Sequence, residues 1–260
     1  MRKNLIAGNW KMNTLKSSAS VLASEIAAGA GEDIEVVLFP PFVFLDRVLE
    51  AVKGCPVEIG AQNVFYESLG AYTGEVSVAM LKDIGCSHVL VGHSERRRLL
   101  GETDGIINRK IKQALSGGLV PVFCIGETQG EREAGKTEET LNRQIVYGLE
   151  GIGGIEIESV VIAYEPVWAI GSGISASADQ AEEVHRFIRS VVGRFGGGRS
   201  SLSVRILYGG SVNPSNAACL LSQEDIDGVL VGGASLSAGT FCEIIRAARS
   251  AGTEAAVSCL

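Results

Sequence analysis

Residues 160–173 read VVIAYEPVWAIGSG. The first four residues are apolar and mostly β-branched, which predicts a short buried strand. The strand leads into the carboxylate of Glu165, and Pro166 restricts the backbone on both sides of that junction. An apolar turn containing a tryptophan follows, before Gly-Ser-Gly. This pattern is typical of a catalytic base on a rigid strand end beneath a closing loop, although a strand-end Glu in a surface ion pair has the same local sequence.

Outward from this stretch, short apolar runs alternate with longer amphipathic segments. The predicted strands cover residues 5–10, 36–39, 57–62, 88–92, 119–125, 159–164, 204–208 and 228–231. The predicted helices cover residues 14–30, 43–52, 77–84, 103–115, 137–149, 178–195, 214–221 and 237–248. Thr14 is the expected N-cap of the first helix. Near-continuous apolar strands need cover on both faces, which leaves an open doubly wound sheet or a closed barrel.

Eight strand–helix units in 260 residues favour the barrel. We therefore expect a single α/β domain over residues 1–260, a (β/α)8 barrel of eight parallel strands ringed by helices. Its core is expected at about residues 5–248, with a C-terminal tail over residues 249–260. The glycine run at residues 196–198 follows a predicted helix and not a strand, so a dinucleotide-binding fold fails on context.

Composition excludes several classes of partner. The net charge is −7 and there is no basic tract, so neither nucleic acid nor an anionic membrane is an expected partner. No apolar stretch is long enough to span a membrane. A strand that starts at Leu5 leaves no room for a signal peptide, and six scattered cysteines without a C-x-x-C pair indicate a reducing, cytoplasmic compartment. These cysteines are Cys55, Cys86, Cys124, Cys219, Cys242 and Cys259.

In such a barrel, functional residues lie where strands end and loops begin. Polar residues and Gly-Gly pairs follow five of the predicted strands: Asn9 and Lys11, His93 and Glu95, Glu165, Gly209-Gly210-Ser211, and Gly232-Gly233. One Gly-Gly after a strand is commonly a tight turn. Two in succession at strands seven and eight indicate a phosphate site built from main-chain N–H groups.

His93 and Lys11, the two basic residues at strand ends, have ordinary structural alternatives. His93 alone is equally consistent with a packed core residue, but it directly precedes Ser94-Glu95, a helix-opening sequence. A helix N-terminus beside an imidazole disfavours the imidazolium, which predicts a neutral His93. Most lysines are solvated, yet Asn9 and Lys11 are an i, i+2 pair that points to one side of a strand end.

Five segments resemble the triosephosphate isomerase family, in order and at the family's spacing. They are residues 7–13 (AGNWKMN), 91–97 (VGHSERR), 163–171 (AYEPVWAIG), 208–212 (YGGSV) and 230–234 (LVGGA). The likeness runs from about residue 5 to residue 248. It implies the TIM barrel and an isomerase of glycolysis and gluconeogenesis that interconverts dihydroxyacetone phosphate and D-glyceraldehyde 3-phosphate, without cofactor or metal.

The resemblance also implies residue roles. Glu165 would be the base and His93 the neutral electrophile, while Asn9 and Lys11 would hold the substrate and Glu95 would brace Lys11. The implied phosphate ligands are the N–H groups of Gly171, Ser211, Gly232 and Gly233. The implied lid comprises Pro166, Val167, Trp168, Ala169, Ile170, Gly171, Ser172 and Gly173, with Ile170 and Leu230 pressing on the base when it closes.

Residues 62–75 resemble the loop through which two subunits of the family interdigitate. The implied contact residues are Tyr72, Thr73, Gly74 and Glu75, and the implied state is a homodimer. An Ω-loop packed on its own barrel is the alternative for so long a connection. Two alternatives for function remain: another sugar-phosphate isomerase or epimerase, which commonly adds metal ligands, and a non-catalytic sugar-phosphate sensor, which would be expected to have lost Glu165, His93 or Lys11.

Overall fold

The computed structural model describes residues 2–169, 176–196 and 198–251. Within them, eight parallel strands close into a barrel in which each strand pairs with the next in sequence and β8 pairs with β1. The strands are β1 Leu5–Asn9, β2 Glu35–Phe39, β3 Glu58–Ala61, β4 His88–Val91, β5 Val120–Ile125, β6 Val161–Tyr164, β7 Arg205–Tyr208 and β8 Gly228–Val231. The predicted (β/α)8 barrel is therefore confirmed.

Helices surround the barrel. The described residues form α1 Lys16–Gly29, α2 Leu45–Ala51, α3 Val78–Asp83, α4 Ser94–Leu100, α5 Asp104–Ser116, α6 Gln129–Glu133, α7 Thr137–Gly148, α8 Gly154–Ile157, α9 Ala178–Gly196, α10 Gly198–Ser203, α11 Pro214–Leu221 and α12 Ala238–Ala251. Short 3-10 turns lie at Phe42–Phe44, Val167–Ala169 and Gly233–Leu236. No described helix is long and apolar enough to cross a membrane.

Alternation along the strands divides the apolar side chains into two cores. Leu5, Ala7 and Phe39 belong to a small cluster inside the barrel, whereas Ile6 and Leu38 belong to the large cluster between barrel and helices. Successive side chains of a strand point to opposite faces, so both faces must be apolar when both are covered. This explains why the strands read as continuous apolar runs, and it leaves the strand ends as the places for polar residues.

Four short helices and one helix start differ from the predicted helix ranges. Thr14 is not the N-cap of α1: it adopts a positive φ of 73°, and the helix begins at Lys16. Ser18 instead accepts a hydrogen bond from the N–H of Leu15 at 2.9 Å, which completes the first turn. Helices α4, α6, α8 and α10 fall in segments to which no helix range was assigned, because helices of four to seven residues have too few positions for an amphipathic period to show.

A charged cluster closes the amino-terminal end of the barrel. His88, the first residue of β4, lies with Nε2 3.6 Å from Glu35 and Nδ1 3.3 Å from Glu58, and Arg205 donates to Glu35 at 2.6 Å. Burial lowers the pKa of His88, but the two carboxylates raise it, and the net shift is upward. Burial raises the pKa of Glu35, yet hydrogen bonds from His88 and Arg205 bring it down to about 2.

The cysteines depart in part from expectation. Cys55, Cys86, Cys124 and Cys242 are free thiols. Cys219 is disulfide-bonded, so at this position the structure departs from the expectation of a reducing compartment without a disulfide framework. Sequence gave no spacing signal for this bond, because disulfide pairing depends on which segments meet in space. The predicted tail beyond Ala251, including Cys259, lies outside the described residues.

Candidate active site

A cavity of about 380 Å³ opens at the carboxyl ends of the strands. It is lined by Asn9, Lys11, His93, Glu165, Gly209, Gly210, Ser211, Val212, Leu230, Gly232, Gly233 and Ala234. Residues of five strand ends, predicted separately from sequence, therefore meet in one pocket. Of the other predicted site residues, Glu95 lies behind Lys11, while Ile170, Gly171, Ser172 and Gly173 lie outside the described residues.

Glu165 is a buried carboxylate at the end of β6, with 2% of its surface exposed. One oxygen, Oε1, lies 2.9 Å from Nε2 of His93, and Oε2 accepts the N–H of Ser94 at 2.9 Å. Burial raises the pKa of Glu165, but His93 and the Ser94 N–H lower it, and the net shift is downward. In this substrate-free arrangement the carboxylate is held ionised and weakly basic by partners that stabilise its charge.

His93 lies between a turn and a helix. Gly92 has a positive φ of 73°, which turns the chain out of β4, and α4 begins at Ser94. The ring Nδ1 accepts the N–H of Glu95 at 3.2 Å, so the proton of a neutral ring resides on Nε2, facing Glu165.

The charge environment of His93 differs from the sequence prediction. Burial lowers its pKa, but the carboxylates of Glu165 and Glu95 raise it, and the net shift is upward. The influence considered from sequence was only the helix N-terminus, which disfavours the imidazolium, whereas the two carboxylates act on the ring in the opposite direction. The physical reason is that a carboxylate at 2.9 Å outweighs the partial charge of a helix end.

Lys11 is held in an unusual backbone conformation, with a positive φ of 52°. Its N–H donates to Oδ1 of Asn9 at 3.0 Å, and its carbonyl accepts from the side-chain amide of Gln62 at 2.8 Å. The ammonium group contacts Glu95 at 2.7 Å. These three bonds fix both ends of the residue, so the cation stands at the pocket wall without filling it. Gln62 was not among the predicted site residues, because its amide acts across 51 positions of sequence.

Two loops present main-chain N–H groups to the pocket. Ser211, Gly232 and Gly233 line the pocket, and among the described residues their N–H groups have no acceptor. Asn216 donates to the carbonyl of Ser211 at 3.0 Å and so holds the first loop in place. Bare N–H groups beside an ammonium ion make a site suited to an anion.

The first lid residues rest on a carboxylate that the sequence analysis missed. Glu127 is fully buried and accepts hydrogen bonds from Trp168 Nε1 at 2.9 Å and from the Tyr164 hydroxyl at 3.1 Å. The guanidinium of Arg132 stacks over the Trp168 ring at 4.3 Å from its centroid. Glu127 lies two residues after β5, so extending the strand-end search to strand five would have found it.

The long loop between β3 and α3 is ordered by aromatic contacts. Phe65 stacks on Tyr66 at 4.2 Å between ring centroids and contacts Tyr72 at 4.6 Å. Arg109 of α5 lies over the Tyr66 ring at 3.8 Å. Leu69 at the tip is 83% exposed, so the loop does not bury its apolar tip on its own barrel.

The described residues contain no group of three or more His, Cys, Asp or Glu side chains placed to hold a metal ion.

The sequence is similar to known proteins over nearly its whole length. A family model described as triosephosphate isomerase matches residues 4–248. The chain is 52% identical over 252 residues to a triosephosphate isomerase of Rhodopirellula baltica, which covers 96% of this chain and 99% of that protein. It is 51% identical to a triosephosphate isomerase of Citrifermentans bemidjiense, in an alignment that covers 95% of this chain and 99% of that protein. It is 48% identical to a triosephosphate isomerase of Dictyoglomus thermophilum, in an alignment that covers 95% of this chain and 100% of that protein.

Proposed function

The chain belongs to the triosephosphate isomerase family, and on that premise we propose that it interconverts dihydroxyacetone phosphate and D-glyceraldehyde 3-phosphate by proton transfer through an enediolate. The observation that carries the mechanism is the buried contact of Glu165 with His93, 2.9 Å apart on the wall of a pocket that also holds Lys11. We propose that this reaction serves glycolysis and gluconeogenesis.

Glu165 is the proposed base, and the substrate itself activates it. In the resting pair, His93 lowers the pKa of Glu165. When a substrate carbonyl takes the place of Glu165 at His93 Nε2, the carboxylate loses that partner while remaining buried. Burial then dominates and raises its pKa, so basicity appears only when a carbon acid is present. Without substrate, the buried carboxylate is therefore stabilised by His93 and is not a strong base.

The same exchange changes His93. Once Glu165 has moved away, burial lowers the pKa of the ring and fewer carboxylates oppose it. A ring whose Nδ1 accepts the Glu95 N–H keeps its proton on Nε2, where it donates to the substrate oxygen. Lys11 and Asn9 then stand beside the developing enediolate, and preorganised donors at such a charge contribute most of the electrostatic stabilisation. Glu95 keeps the Lys11 ammonium oriented.

The phosphate is proposed to bind at the N–H groups of Ser211, Gly232 and Gly233, with Gly171 of the lid as a fourth donor. The Lys11 side chain passes Gly232, whose added Cβ would lie 3.5 Å from Lys11 Cε, so the cation stands beside this cradle. Closure of residues 166–173 over the pocket would exclude water, which protects the enediolate and raises the effective basicity of Glu165. Leu230, at the pocket wall, would press on the base together with Ile170.

We further propose that the chain is a single domain and that two copies form a two-fold homodimer. We propose the cytoplasm as its compartment. Each subunit would insert residues 72–75 of its long loop beside the partner's site, with Thr73 reaching towards the partner's Lys11 and His93. Support comes from the exposed apolar tip at Leu69 and from Met12, which is 96% exposed next to the catalytic lysine. The proposed interface would cover these two exposed side chains.

The test is a coupled assay with glyceraldehyde 3-phosphate on the wild type and Glu165→Gln, with EDTA present. We expect fast wild-type turnover and a collapsed variant that still binds phosphoglycolate. A wild type that binds phosphoglycolate without turnover would indicate a sensor. A wild type that neither turns over nor binds would overturn the assignment of the phosphate loops.

A further inference from the structure

Strand β5 loses one neighbour before it reaches the active site. The last register pair between β4 and β5 is Val91 with Phe123, and Gly92 then turns β4 away. Residues of a strand alternate the side to which their main-chain groups point, so Cys124 and Gly126 face the side that β4 has left. Buried main-chain groups need partners, and here no strand provides them.

Two side chains replace the missing strand. Arg97 donates to the carbonyl of Cys124 at 3.3 Å. Gln144 of α7 makes a pair of bonds with one residue: its Oε1 accepts the N–H of Gly126 at 2.8 Å, and its Nε2 donates to the carbonyl of Gly126 at 3.1 Å. Gln144 is 5% exposed, and its neighbours Leu141 and Ile145 on α7 are fully buried, so the amide projects from a fixed helix.

Gly126 lies directly against the main chain of the proposed base. A Cβ built on Gly126 would lie 1.7 Å from the Glu165 carbonyl oxygen, so the two backbones touch. On either side of Gly126, the main-chain carbonyl of Ile125 accepts the Glu165 N–H at 2.7 Å, and the main-chain carbonyl of Glu127 accepts the Val167 N–H at 3.1 Å. The position of the Gly126 peptide therefore sets the position from which the Glu165 side chain projects.

Gly126 also borders open space. A second cavity of about 310 Å³ lies there, lined by Gly126, Gln144, Cys124, Arg97 and Glu165 among others. With open space behind it, the Gly126 peptide has only the amide of Gln144 to fix it from this side among the described residues.

We propose that Gln144 is a positioning residue for Glu165, acting through the Gly126 peptide. The inference rests on the proposed isomerase function with Glu165 as its base. The proposed phosphate cradle follows β7 and β8, whereas Gln144 bonds to Gly126 after β5, so Gln144 governs where the base stands and not how the substrate phosphate binds. Its loss is therefore expected to lower kcat and to leave KM nearly unchanged.

The experiment compares Gln144→Met and Gln144→Glu with the wild type. Methionine keeps the length of the side chain and removes both bonds, whereas glutamate keeps an acceptor for the Gly126 N–H. A displacement of about 1 Å at a reacting group costs on the order of 10²-fold in rate, and a partial relaxation of Gly126 into the cavity is expected to lower kcat about tenfold in Gln144→Met. Gln144→Glu is expected to lower kcat as well, because its carboxylate oxygen would face the Gly126 carbonyl in place of the amide donor, and KM is expected to stay within about twofold in both.

Asn108→Leu is the matched control. Asn108 is another buried amide, and it donates to the carbonyls of Gly148 and Glu150 at 3.0 Å each, at the far end of α7. Its replacement also removes two buried hydrogen bonds, so it is expected to lower the thermal unfolding temperature while kcat stays within about twofold of the wild type.

The outcomes separate the two proposals. An inactive wild type would overturn the proposed function. With an active wild type, equal kcat values for Gln144→Met and Asn108→Leu would overturn the positioning role, as would a fall in Gln144→Met that appears in KM alone. If Gln144→Met does not fold, the comparison of Gln144→Glu with Asn108→Leu decides in the same way, because glutamate retains one of the two bonds.

Discussion

Replacing Gly126 with alanine tests directly whether the base is placed by main-chain contact. The added Cβ would lie 1.7 Å from the carbonyl oxygen of Glu165 and 2.7 Å from its carbonyl carbon. Both are main-chain atoms, so no side-chain rotation relieves the contact. Gly126 is not among the residues with positive φ, so alanine meets no conformational obstacle other than this clash.

The size of the effect follows from the geometry. Contacts of a Cβ below 3.0 Å are essentially never seen, so the two backbones must separate by about 1.3 Å. A misplacement of about 1 Å costs on the order of 10²-fold in rate, so we expect kcat to fall by about 10²-fold or more, or roughly 3 kcal/mol of activation free energy. The bond from the Glu165 N–H to Ile125 must also break, which lowers the free energy of unfolding by about 1 kcal/mol beyond the strain.

The assay is steady-state isomerisation kinetics beside thermal unfolding, with Gly130→Ala as the control. Gly130 lies within α6, and its added Cβ would meet nothing within 4 Å. Alanine inside a helix is favoured over glycine by about 0.5–1 kcal/mol, so Gly130→Ala is expected to be slightly more stable and fully active. A folded Gly126→Ala enzyme with a kcat within about threefold of the wild type would refute the reasoning.

Three further predictions rest on other contacts. Glu165→Asp withdraws the carboxylate by about one methylene and is expected to lower kcat on the order of 10²-fold, with phosphoglycolate affinity unchanged by calorimetry; unchanged turnover would contradict the base assignment. The raised pKa of His88 means that its contacts with Glu35 and Glu58 stabilise the fold fully below the unfolded pKa of about 6.5 and lose that contribution as pH rises through the folded value. Urea unfolding of His88→Gln is therefore expected to show a smaller loss of stability between about pH 6 and pH 9 than the wild type, and parallel curves would remove His88 as the cause. Deleting residues 72–74 is expected to give a weakly active monomer by analytical ultracentrifugation, whereas full activity at dilute concentration would rule out a role for the dimer in catalysis.

Local signals explain which elements could be predicted. The bounds of β8 and α11 match the prediction. The start of α11 has clear local signals, because Pro214 is its first residue and the Asn213 side chain accepts the N–H groups of Ser215 and Asn216. Thr14 has the residue type of a cap, but its positive φ differs from the extended backbone typical of an N-cap. Helix α6 begins with a capping box between Thr128 and Glu131, a signal present in the sequence but overlooked inside a polar segment.

Charge states and supporting residues could not be predicted, because they depend on contacts across long stretches of sequence. Glu165 lies 72 positions after His93, and their 2.9 Å contact reverses the pKa shift expected of His93 from its own helix. Gln144 belongs to no motif and looks like any helical glutamine. Its importance is visible only once Gly126 and Glu165 are seen to touch. Strand-end residues could be read from sequence because the barrel brings all strand ends to one face.

At the carboxyl-terminal rim of the barrel, the side chains that hydrogen-bond to unpaired main-chain groups also lie near the proposed catalytic residues. Where strands diverge, main-chain groups lose their sheet partners and side chains replace them. Gln62 donates to the carbonyls of Phe39 and Lys11 at 2.8 Å each, Arg97 donates to the carbonyls of Gly92 and Cys124, and Gln144 pairs with Gly126. These bonds lie close to the proposed catalytic groups, because those groups occupy the same strand ends: Gln62 bonds to Lys11, Arg97 bonds to the residue before His93, and Gly126 contacts Glu165. Substitutions at the rim should therefore change stability and kcat together, whereas substitutions at the opposite end, such as those in the His88 cluster, should change stability alone.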